Sequence, residues 1–170
     1  MRYFTPLILT VLVVSAILSG CDKGLDPNAV TEPGFGGMIT YIGPLPPSDS
    51  LKDLRIVAVP YFPVDTLFQP LILKVIDGVI PFSGDIRSGA ESGKSVPYEM
   101  FLKPQTYYYI AIVQQFGLDV FSQWKVVSVY QVSPSDPTPK VLKVEDGKFI
   151  SNINFTVDFY RLPPQPFRVP

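Results

Sequence analysis

Apolar residues along this chain fall into one long run near the start, broken only by Thr10, Ser15 and Ala16 among its aliphatic residues, and, after it, short blocks parted by proline, glycine and polar turns. From residue 35 onward no stretch keeps a helical period over three turns, so the pattern predicts strands. The cleanest alternation closes the chain: Ile153, Phe155, Val157 and Phe159 point one way while Asn152, Asn154, Thr156 and Asp158 point the other, giving one buried and one wet face. Residues 106–113 are apolar on both alternate faces, which predicts a strand covered on both sides. A first strand is expected at 35–42, where Gly36 and Gly37 signal a bulge or a close backbone approach. A second runs over 53–59 and stops at Pro60. Residues 96–102 read as an edge strand, 124–130 as the return across a turn at 114–123, and 141–144 as a strand leading into a hairpin signal, Glu145-Asp146-Gly147-Lys148. Residues 61–70 read as an apolar loop, and 71–76 fit either a strand or one short helix. Asp77-Gly78 reads as a turn, with 79–82 as its return strand.

The chain holds 19 prolines, yet 105–133 and 140–162 contain none. Central strands exclude proline, so these stretches mark the core. Seven or eight short strands separated by turn signals predict an all-β domain over 35–161, a single antiparallel β-sandwich, followed by an extended proline-rich tail at 162–170. The order of its parts runs from a glycine-rich entry through a long aromatic pair to Val144-Glu145-Asp146-Gly147 and the closing run 152–159. That order resembles the transthyretin-like sandwich of carboxypeptidase regulatory domains. An immunoglobulin-like sandwich is the alternative.

The early run has its own logic. Arg2 supplies a positive charge ahead of an aliphatic stretch at 7–17, which then meets Ser19, Gly20, Cys21, Asp22 and Lys23. A membrane-crossing helix needs about 20 apolar residues, so a signal-peptide core is the better reading. Leu18-Ser19-Gly20-Cys21 resembles the lipobox of bacterial lipoproteins. The resemblance implies a signal peptide at 1–20, cleavage before Cys21 and acyl chains on that residue. Cys21 is the only cysteine in the chain and has no internal disulfide partner. Two or three acyl chains hold a protein on a bilayer where one does so only marginally. Residues 21–34 are polar and turn-rich and read as a flexible tether. The expected address is the bacterial cell envelope, at the inner or outer membrane of a Gram-negative cell; Asp22 resembles an inner-membrane retention signal that other lineages read differently.

Composition narrows the chemistry. Fourteen Lys and Arg stand against fifteen Asp and Glu, and losing Arg2 with the leader takes the net charge from minus one to minus two. No basic cluster is present to hold nucleic acid. Histidine is absent, which removes the commonest general base, the usual catalytic triads and most zinc sites. The transthyretin-like fold has a hydroxyisourate-hydrolysing branch, but Tyr160-Arg161-Leu162-Pro163 matches only the first half of its Tyr-Arg-Gly-Ser ending. Asp65, Glu99, Asp119, Glu145, Asp146 and Asp158 would supply a hydrolase with paired carboxylates, although turns and wet strand faces surround them. No cofactor or metal is expected. The surplus is aromatic: Tyr61, Phe62, Phe68, Phe116, Phe121 and Trp124 lie in or beside loops, where rings stack on a sugar or peptide or dock a protein. The expected function is a lipid-anchored, non-catalytic binding or scaffolding module with an envelope protein or glycan as partner. A carrier of small ligands is the alternative, and an envelope hydrolase stands behind both.

Overall fold

Strand β1 (Gly34–Ile42) is the axis of the first sheet. On one side it runs antiparallel to β3 (Ser95–Phe101); on the other it runs parallel to β10 (Phe149–Ile150) near its start and to β11 (Phe155–Asp158) near its end. The computed structural model describes residues 31–64, 67–133 and 136–167, and residues 31–170 form a compact unit in themselves. The glycines of β1 are there for close approach, one of the two expectations. A Cβ on Gly34 would lie 2.4 Å from the Met100 carbonyl oxygen, and one on Gly37 would lie 2.3 Å from that of Ile153.

The parallel pairings depart from the wholly antiparallel arrangement expected, and the turn at 145–148 explains them. It does not close a hairpin. It leads from β9 (Leu142–Lys143), which pairs with β4 (Thr106–Tyr107), across to β10 beside β1. The final run therefore reaches the first sheet from elsewhere, and Asn152, at φ 66, divides it into β10 and β11.

The second sheet is antiparallel, in the order β2 (Asp53–Val59), β5 (Tyr109–Gln115), β6 (Trp124–Val129). Alternation gives it two different faces. Leu54, Ile56, Ala58, Ile110, Ile112 and Val127 join Phe35, Ile39, Tyr41, Phe155 and Val157 of the first sheet in the larger core. Val59, Tyr109, Ala111 and Val126 face the other way, into a second cluster with Leu71 and Phe167. Strand β5 is covered on both sides, as its apolar run requires. With β7 (Gln131–Ser133) and β8 (Asp136–Pro139) forming a small ribbon, eleven strand segments are described. The excess over seven or eight comes partly from splitting, since Tyr108 separates β4 from β5, which pair with different partners, and partly from the β7–β8 ribbon, whose second strand falls in 133–139, a proline-rich stretch that reads from sequence as an exposed connection.

Residues 68–76 form helix α1 (Phe68–Ile76). Phe68, Leu71 and Val75 repeat at helical spacing and pack on the second cluster. Pro70 is tolerated because the first turn leaves its N–H groups without helical acceptors in any case. Gly78, read from sequence as a hairpin turn, instead ends the helix. At φ 72 it lets its own N–H bond the Val75 carbonyl (3.1 Å) and lets Val79 bond that of Lys74 (2.9 Å), a Schellman stop. The chain then returns along β2, where Ala58 donates to Pro81 and Ser83 to Ile56. The tail is extended but pinned: the Gln165 side chain accepts from Val126 N–H (2.8 Å) and donates to its carbonyl (2.9 Å), closing the edge of β6 as a strand would.

Candidate functional site

Between α1 and the outward face of β2, β5 and β6 lies a cavity of about 330 Å³. Its walls are aliphatic because alternation sends Val57, Val59, Val113 and Val126 to this side of the sheet, and the helix answers with Phe68, Leu71, Ile72 and Val75. Strand register separates its ends. Asp53, Gln115 and Trp124 stand in one row across the sheet, and Val59 and Tyr109 form a row six residues further on, about 20 Å away along the strand. At the Tyr109 end Val59, Val64, Leu71 and Ile80 are all buried. At the Asp53 end Phe82 and Val120 are nearly half exposed, so this end is the mouth.

The polar groups gather at the mouth. Arg55 Nε donates to Asp53 Oδ2 at 2.6 Å, Arg55 Nη1 donates to the Ser83 carbonyl at 3.2 Å, and the guanidinium lies 5.1 Å from the Phe82 ring centre. Asp53 Oδ1 is buried and has no hydrogen-bond partner among the described residues. Trp124 is fixed by its indole N–H, which donates to the Val120 carbonyl at 3.0 Å, and Gln115 donates to that of Gly117 at 2.8 Å. At the closed end the Tyr109 hydroxyl is buried and likewise unpartnered. Burial pushes its pKa well above the usual tyrosine value, so it remains a protonated donor.

The six aromatics expected to form a binding surface are divided. Phe68 and Trp124 line the cavity. Phe62 is exposed and stacks on Tyr109 at 6.5 Å, beside the closed end, while Tyr61 lies beneath Lys74 Nζ at 4.3 Å. Phe116 lies beneath Lys125 at 5.9 Å and borders a separate shallow hollow with Ser50, Leu162 and Gln165. Phe121 is exposed in the turn before β6. The lipobox Leu18-Ser19-Gly20-Cys21, the leader and the tether up to residue 30 lie outside the described residues, as do Asp65 and residues 168–170.

Sequence reasoning missed Asp53, Arg55 and Tyr109. The signal was present in β2, where Asp53 and Arg55 alternate with Leu54 and Ile56 and so mark an outward face that is not purely aliphatic.

Three of the acids singled out for hydrolysis, Asp119, Asp158 and Glu145, have local duties. Ser122 Oγ and the Phe121 N–H both bond Asp119 and hold its carboxyl below the ordinary range. Asp158 accepts from the N–H groups of Tyr160 (2.9 Å) and Arg161 (3.2 Å), and Glu145 pairs with Lys143 and Lys148. Among the described residues no cluster of three His, Cys, Asp or Glu is placed to hold a metal, and no helix is long and apolar enough to cross a membrane. Compared with known proteins, the chain matches no family model, no curated protein and no solved structure.

Proposed function

We propose that this chain is a lipid-anchored, non-catalytic binding module of the bacterial cell envelope, holding a small, mainly apolar molecule in the cavity beneath α1. The observation that carries the reading is the cavity itself. Its volume of about 330 Å³ falls in the range of small-molecule sites, and its walls are aliphatic with a few polar groups at one end. The anchor is supported by Leu18-Ser19-Gly20-Cys21 and by the absence of any second cysteine. A glycan or protein platform draws less support, because Phe68 and Trp124 face the cavity while Phe116 lies by a different hollow.

Two measurements test this reading. Cells fed a clickable fatty acid should yield a labelled protein, and Cys21→Ser should not be labelled. Native mass spectrometry of protein drawn gently from its own envelope should show added mass that denaturation releases. Filling the cavity with Val113→Phe should remove that mass while the fold persists. An unlabelled wild type would sink the anchor, and a bound mass indifferent to Val113→Phe would sink the cavity as the site.

A further inference from the structure

The cavity is closed and apolar at one end and polar at its mouth, which is the outline of a molecule with a chain and a head. At the closed end the Tyr109 hydroxyl is buried within the protein, so the wall that faces the cavity there is apolar. A methylene fills close to one water's volume, ~30 Å³, so the cavity holds about eleven such groups. The two charges at the mouth do not face it equally. Asp53 Oδ2 accepts from Arg55 Nε at 2.6 Å, and Oδ1 is buried and so is turned away from the open space. Arg55 is the more exposed partner, its side chain 29% accessible against 16% for Asp53, and its guanidinium lies 5.1 Å from the ring centre of Phe82 at the opening. A guanidinium carries five N–H groups. Nε spends one on Asp53 and Nη1 spends one on the Ser83 carbonyl, which leaves three, two of them on Nη2, without an acceptor among the described residues. The Gln115 amide likewise spends one N–H on the Gly117 carbonyl and keeps the other. The ion pair is therefore a dipole with its negative member tucked in and its positive member at the opening. An anionic acceptor placed there lies nearer the positive charge than the negative one and gains charge-assisted hydrogen bonds.

We infer that the cavity selects a single-chain amphiphile of about ten carbons whose head is a small anion that accepts hydrogen bonds, the chain lying toward Tyr109 and the head on the unspent N–H groups of Arg55 and Gln115. The inference rests on the cavity reading above and adds to it the class of ligand. Fatty carboxylates and alkyl phosphates share this chemistry. Such recognition runs against the ordinary preference of an apolar pocket, which takes the neutral alcohol of the same chain length ahead of an ion.

Trp124 is the only tryptophan and lines the mouth, so its fluorescence reports occupancy. The chain from residue 22 onward, made without its leader, would be titrated with decanoate, decyl phosphate, decanol and decylamine at about pH 8, where the carboxyl and phosphate heads are ionised. Decanoate or decyl phosphate should bind at least about tenfold more tightly than decanol and decylamine; which of the two binds better distinguishes a fatty acid from a phosphate. Arg55→Gln should weaken that anion about tenfold or more and leave decanol within about threefold. This variant also frees the Asp53 charge to repel an anion, so it is paired with a double variant, Asp53→Asn with Arg55→Gln, in which both charges are gone. Anion binding that stays weak in the double variant assigns the head to the Arg55 donors. Thermal unfolding of each variant checks that the domain remains folded. If chains bind but decanol or decylamine equals the anions, if Arg55→Gln leaves the order unchanged, or if the double variant regains wild-type anion affinity, the head-group assignment is wrong while the cavity reading stands. If no chain binds, both fall.

Discussion

Tyr109 and Tyr98 have similar burial and opposite hydrogen-bond standing. Tyr98 donates its hydroxyl to the Ile153 carbonyl at 2.6 Å, tying β3 to the segment before β11. The Tyr109 hydroxyl has no partner among the described residues. Leaving a buried acceptor unmatched costs about 1–3 kcal/mol, so Tyr98→Phe should destabilise the domain by that amount. Removing a hydroxyl that already lacks a partner eliminates a desolvation penalty, and Tyr109→Phe should raise stability by about 1 kcal/mol in ligand-free protein. Urea unfolding of the two variants beside wild type measures the contrast. A loss in Tyr109→Phe would mean the hydroxyl has a partner after all. None of this was legible in the sequence, where Tyr107, Tyr108 and Tyr109 are neighbours of one type and only the register of β4 and β5 gives them different surroundings.

At the scale of elements, β1 was readable because its constraint is local. Glycines inside a strand imply that something approaches the backbone, and what approaches Gly37 is the Ile153 carbonyl oxygen, 2.3 Å from where a Cβ would sit. Gly37→Ala must push β1 away from the segment leading into β11 and should cost about 1–3 kcal/mol. Gly84 lies in open loop with nothing within 4 Å of its added Cβ, so Gly84→Ala should stay within about 0.5 kcal/mol. Equal unfolding midpoints for the two variants would refute the close approach. Helix α1 was not readable in this way. Five apolar residues and Lys74 at 71–76 fit either period, and the decision comes from Phe68 one turn earlier, which packs on Phe167 at 5.1 Å, and from the glycine stop after it. The hairpin expected at 145–148 failed for a related reason: turn residues specify a reversal, but not which sheet the next strand enters.

At the largest scale described, residues 31–167 form three layers that share one sheet. The sheet β2–β5–β6 has the larger core on one face and the cavity cluster on the other; the apolar run of β5 showed that both faces are covered, but not what covers the second, because its lining residues span 53 to 167. Both faces bury tyrosines: Tyr41 and Tyr98 lie in the larger core and Tyr109 in the cavity cluster. Burial disfavours the phenolate, so all three pKa values are raised above the ordinary 10, that of Tyr41 to about 12 with the Asp85 charge adding to the effect. Above pH 10 the unfolded chain gives up protons that the native state keeps. The stability these groups contribute is therefore whole below about pH 10 and drains away as pH rises through their folded values, by about 1.4 kcal/mol per pH unit for each tyrosine. Alkaline titration followed at once by phenolate absorbance and by circular dichroism should show these three tyrosines ionising together with loss of the fold rather than before it. If all the tyrosines ionised near pH 10 while the β-signal remained, neither face of the central sheet would be as dry as this packing requires. The apolar cavity built on its outer face would then be in doubt as well.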